Sequence, residues 1–122
     1  MNEQFEKRFE VKESDTAQSV GSGGLAVLST PMMIAYMENA AWTWLEEQIG
    51  ENETSVGTKL IVSHFAPTFV GKEVIVTIEL KEQDKRRYTF HIYAKVDGKP
   101  IGEATHTRVV VDAEKFMEQA KK

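Results

Sequence analysis

The stretch "STPMMIAYMENAAWTWL", residues 29–45, constrains the fold of this chain more than any other. Apolar side chains recur at Met33, Met37, Ala40, Ala41, Trp44 and Leu45, the spacing of a helical stripe that faces a core. Ile34 and Tyr36 widen that stripe, so the helix should be covered on most sides. Thr30 suits its N-cap and Pro31 its first position, where the missing N–H is harmless. Gly50, in "EEQIGENE", is the expected stop, giving a helix over about residues 30–48. Glu38 stands in the middle of it. A lone carboxylate among apolar neighbours is expensive, so either it turns to water beside Asn39 or it faces a cleft that uses it.

Nearly everything else alternates. "FEKRFEVK" sets Phe5, Lys7, Phe9 and Val11 against charged residues, the pattern of a half-buried strand. "SVGTKLIVSHF" and "EVIVTIELKE" are β-branched, and Leu60, Val62 and His64 share parity in the former. "RRYTFHIYAKV" places Tyr88, Phe90, Ile92, Ala94 and Val96 on one face and Thr89, His91, Tyr93 and Lys95 on the other. Asp97–Gly98 makes a hairpin turn into "PIGEATHTRVVVD". "AEKFMEQAKK" is a short amphipathic tail helix. Strand, helix, then four strands joined after residue 70 by short turns imply an antiparallel meander. The expected fold is α+β: one domain over residues 1–122, with a sheet of about five strands curled around one long central helix. The open edges of such a sheet invite pairing, so a homodimer or higher oligomer joined edge to edge is expected.

Composition removes several functions. The net charge is −4, with 15 basic residues scattered among 19 acidic ones, which argues against nucleic acid. The absence of cysteine excludes disulfides, thiolate catalysis and Cys-ligated zinc. No two histidines have a metal-ligand spacing, so no metal is expected. The charged start "MNEQFEKRFE" is no secretory signal, and no run approaches the ~18 apolar residues of a membrane span. A cytoplasmic protein that does not bind membranes is the expectation.

Among the residues able to do chemistry, His64 is either a buried, hydrogen-bonded histidine or a base in a cleft. His91 reads as solvent-facing, and His106 fits either face. Thr30 is an ordinary cap or a nucleophile. The glycine-rich "SVGSGGLAVLS" is a connector or the border of a pocket. Thr, Glu and His are the types needed for nucleophile, carboxylate and base, provided the fold brings them together.

Two blocks, "GLAVLSTPMMIAYMENAAW" and "VGTKLIVSHFAPTFVGKEVIVTIEL", resemble the hotdog-fold acyl-CoA thioesterases, in particular the fluoroacetyl-CoA thioesterase-like branch. The resemblance implies catalytic roles for Thr30, Glu38 and His64, and a backbone N–H of Gly57 placed near the thioester carbonyl. It also implies a basic position at Arg108 that meets the CoA moiety. No separate cofactor is implied, CoA being part of the substrate. One segment departs from the branch. The loop before the helix reads "GSGGLAV", without the aromatic lid of the fluoroacetyl-specific enzymes. The expected activity is therefore hydrolysis of a short or medium acyl-CoA. His64 would act as general base, and Glu38 would orient it or polarise water. Thr30 would attack or position the water. A non-catalytic acyl-CoA or small-ligand binding module on the same fold is the alternative, and the three side chains are expected to converge near Gly57.

Overall fold

The computed structural model describes residues 4–122. Strand β1, Gln4–Glu10, alternates exposed and half-buried residues as its sequence requires. A 3-10 turn over Glu13–Asp15 and a single-turn helix α1, Ala17–Val20, follow; the sequence pattern had suggested only a loop there. Helix α2 spans Thr30–Glu46. Strands β2, Glu53–His64, β3, Glu73–Asp84, β4, Arg87–Val96, and β5, Lys99–Asp112, precede helix α3, Ala113–Ala120.

The strands form one antiparallel sheet in the order β1-β3-β4-β5-β2. This corrects the expected four-strand meander. Only β3, β4 and β5 are consecutive neighbours; β2 crosses over to pair with β5, His64 lying opposite Gly102 and Gly57 opposite Arg108. The crossover makes β2 an edge strand, which matters for the site.

Helix α2 lies in the concave side of the sheet. Met33, Met37, Ala40, Ala41 and Leu45 are fully buried against Val74, Val76 and Ile78 of β3 and Phe90, Ile92 and Ala94 of β4. At ~1.5–3 kcal/mol for each large side chain, this burial dominates the fold. Trp44 meets Phe90 edge-on, with ring centroids 5.8 Å apart. Two helix-end expectations change. Ser29, not Thr30, is the N-cap, its hydroxyl accepting from Met32 N–H at 3.2 Å, which frees the Thr30 side chain. Gly50 is not the stop, because the helix closes at Glu47 in ordinary right-handed geometry.

Segment 16–28 is pinned at both ends. Ser29 N–H donates to the Asp15 carbonyl at 3.0 Å, Ala17 N–H to Val27 and Leu28 N–H to Thr68. Tyr36 of α2, stacked on Phe9, donates its hydroxyl to the Asp15 carboxylate. Burial and that carboxylate push the Tyr36 phenol far above its ordinary range, so it stays a donor. The glycine-rich loop is thereby fixed beside the start of α2.

Candidate active site

Thr30 opens α2 and His64 closes β2, and the two side chains meet: Thr30 Oγ1 lies 2.7 Å from His64 Nδ1. They share a cleft of about 320 Å³ walled by Gly23, Gly24, Leu25, Val27, Phe65 and Pro67. The glycine-rich loop therefore does border a pocket. Met33 and Met37 do not line it; both are sealed in the core.

Burial lowers the His64 pKa below its ordinary value, with a backbone interaction at Ala66 opposing. A neutral ring is what a base requires. When Nδ1 is bare, it accepts the Thr30 hydroxyl proton. The ring's Nε2 is buried with no hydrogen-bond partner among the described residues. A pH prediction follows with a definite sign. If neutral His64 is the base, kcat/KM should rise with pH through a limb centred below about 6.5 and stay flat above it. A pH–rate profile with its acid limb well above 6.5 would contradict this assignment.

Glu38 belongs to a second group of residues. Its Oε2 lies 3.6 Å from Arg108 Nη1 and against the backbone of Gly57. A Cβ at position 57 would come within 2.6 Å of that oxygen, so any larger residue there would displace the Glu38 carboxylate from its present place. Arg108 is only 6% exposed. It donates from Nε to Ser55 Oγ at 2.8 Å, from Nη2 to the Ser55 carbonyl at 3.0 Å and from Nη1 to His106 Nε2 at 3.1 Å. His106 in turn donates from Nδ1 to the Lys59 carbonyl at 2.9 Å. That pattern fixes its tautomer with Nε2 bare, and burial holds its pKa down, so its 3.9 Å approach to Glu38 is no ion pair.

The Glu38 charge is thus explained: the sheet opposite the helix carries a buried guanidinium whose facing anion is this carboxylate. Arg108, which the resemblance places against CoA, is here engaged within the chain. Its donors are turned inward, and it bears on the site through Glu38. Ser55 was missed by sequence reasoning, since its part depends on lying across from β5. His91 is half-buried on the outer face, stacked on Tyr93 and facing Glu103 at 3.3 Å.

The structure therefore joins Thr30 with His64, and Glu38 with Gly57 and Arg108, as two separate groups. Within one chain they do not converge as expected. Eight helical residues separate Thr30 from Glu38 by ~12 Å along the axis, and seven strand residues separate Gly57 from His64 by ~23 Å. Among the described residues, no group of three or more His, Cys, Asp or Glu is placed to hold a metal, and no helix is long and apolar enough to cross a membrane.

A curved five-stranded sheet around one helix, with Thr and His meeting at the helix start, defines a hotdog-fold protein. A hot-dog-like protein from Thermanaerovibrio acidaminovorans shares that fold with a TM-score of 0.88 at 23% identity, covering 98% of this chain and 88% of that one. Residues 11–114 match the family of fluoroacetyl-CoA-specific thioesterases, and the chain belongs to that family. It is 36% identical over 90 residues to the fluoroacetyl-CoA thioesterase of Streptantibioticus cattleyicolor, a match covering 74% of this chain and 65% of that protein. The match thus spans just under two thirds of that relative's length. A mutant of the fluoroacetyl-CoA-specific thioesterase, solved with fluoroacetate and CoA, superposes with a TM-score of 0.90 at 30% identity, covering 94% and 97% of the two chains.

Proposed function

We propose that the protein is a cytoplasmic, homodimeric thioesterase that hydrolyses short or medium acyl-CoA thioesters to the carboxylic acid and free CoA. The observation that carries this reading is the 2.7 Å Thr30–His64 pair at the wall of a mostly apolar cleft, in a chain of a thioesterase family. His64 is the base and Thr30 the hydroxyl that attacks the carbonyl or holds the attacking water. Gly57 supplies backbone N–H to the oxyanion, and Glu38 orients His64 or polarises the water. No cofactor beyond the substrate's own CoA is needed.

The dimer supports this division of labour. β1 is a short edge with charged Glu6, Arg8 and Glu10 outward, a poor template for pairing. β2 is twelve residues long and carries Ile61 at 63% exposure. Antiparallel pairing of β2 with its copy about an axis between Leu60 and Ile61 sets His64 opposite the partner's Gly57. Each Thr30–His64 pair then stands beside a Glu38 from the other subunit. Freedom from cysteine suits a reducing compartment.

The cleft, at about 320 Å³, sits at the lower end of the ~300–1,000 Å³ range of ligand pockets, which favours a small acyl group. Gly23 and Gly24 put no side chain on its wall, so a preference for fluoroacetyl over acetyl is not expected. Thiol release measured across acyl-CoAs from acetyl to long-chain and aromatic, with fluoroacetyl-CoA included, tests the reading. Turnover should be highest for short or medium chains, from a protein sedimenting as a dimer. Tight CoA binding without thiol release would favour the binding-module alternative.

A further inference from the structure

Gly102 touches the supports of both members of the Thr30–His64 pair. It sits buried in β5, between Ala94 of β4 and His64 of β2. A Cβ built on it would lie 2.6 Å from Met33 Sδ, 2.7 Å from Met33 Cε and 2.9 Å from the Ser63 carbonyl oxygen. Met33 lies one turn beyond Thr30 on α2, and Ser63 immediately precedes His64. Met33 is fully buried in a close-packed core, so its thioether can give way only by repacking its neighbours. The Ser63 contact is to backbone, which cannot move without shifting the end of β2. The absence of one methyl group at position 102 therefore lets the first turn of α2 and the end of β2 approach together.

We infer that Gly102 is a positioning residue, setting the Thr30 Oγ1–His64 Nδ1 contact by permitting this close approach of helix and strand. The inference rests on the Thr30–His64 reading of the site. A methyl group at 102 pushes Met33 and the helix start one way and the Ser63–His64 backbone the other, so the hydroxyl and the ring part. Misplacement on the scale of ~1 Å costs reactivity by up to ~10²-fold, while the apolar wall of Leu25, Val27 and Phe65 still binds the acyl chain.

The test is steady-state kinetics on Gly102→Ala, with the best substrate from the thiol-release panel. The expected result is a kcat lowered ~10–100-fold with KM within about threefold, the split of a positioning defect rather than of lost binding. In a Thr30→Ala background the same change should lower kcat by no more than about threefold, because the contact it disturbs is already gone. Should Gly102→Ala not fold, the double variant Gly102→Ala/Met33→Val repeats the experiment with the summed volume nearly conserved. Valine at 33 takes the thioether out of the path of the added methyl and leaves the contact with the Ser63 carbonyl, so the double variant should still lower kcat, with the same dependence on Thr30. Wild-type kcat in the folded variant, or an equal loss in the Thr30→Ala background, would overturn the inference. Failure of the underlying reading looks different: Thr30→Ala and His64→Ala would then keep full turnover whatever stands at position 102.

Discussion

His64→Ala is expected to lower acyl-CoA turnover by ~10²–10⁴-fold, the range for loss of a general base, in a protein that still folds. The ring contributes little to the fold. It is half-buried at the last residue of an edge strand, and among the described residues its Nε2 has no hydrogen-bond partner to lose. The catalytic loss is another matter, because Thr30 Oγ1 has His64 Nδ1 as its close side-chain partner at 2.7 Å. Without that nitrogen, no other titratable side chain of the cleft wall is there to take the proton of the hydroxyl or of a water held by it. The remaining lining of the cleft, from Gly23 to Pro67, is largely apolar or backbone. His64→Ala with wild-type turnover and an unchanged melting curve would remove the base assignment. CoA binding with no turnover in the wild-type protein would leave the binding module.

How much of this was legible in the sequence differs by scale. The body of α2 was, because Met33, Met37, Ala40, Ala41 and Leu45 recur at the helical period and all are buried. So was β4, where Tyr88, Phe90, Ile92 and Ala94 face inward as their alternation requires. The position of β2 was not, because strand order is settled by contacts distant in sequence. Nothing local distinguishes a strand that pairs with β3 from one that crosses to β5. The cap was ambiguous for a local reason: Ser29 and Thr30 both carry a hydroxyl, and proline fits the first turn after either. Arg108 was hidden by geometry. Adjacent Ile101 and Gly102 are both buried where the β4–β5 register shifts near Pro100, so alternation counted from the start of β5 fails. Counting back from Val110 through Arg108, His106 and Ala104 recovers the inward face. Thr30 and His64 were named together by residue type and by resemblance, but only the end-to-end placement of α2 and β2 makes them neighbours.

Glu38→Gln should lower turnover by ~10²-fold or more and cost less stability than loss of Arg108, and the contrast is the informative part. The carboxylate is 43% exposed and 3.6 Å from the buried Arg108, so its loss leaves a guanidinium without its facing anion but still hydrogen-bonded to Ser55 and His106, a cost below that of breaking the whole network. Arg108→Ala, by contrast, strands Ser55 and His106 and should destabilise by several kcal/mol, on the order of a broken buried charge network. A charge that matters more to rate than to folding is acting on the substrate or on its base. Which base it serves can be decided by mixing subunits. If Glu38 completes the Thr30–His64 pair of its own chain, then His64→Ala and Glu38→Ala proteins stay inactive when unfolded, mixed and refolded together. If it completes the pair of the other chain, half of the randomly formed dimers are mixed. Each of these carries one intact site and one doubly defective site, and about one quarter of wild-type activity returns. The ~23 Å between Gly57 and His64 along β2 favours the second outcome, since no rotamer of a glutamate spans that distance within one chain.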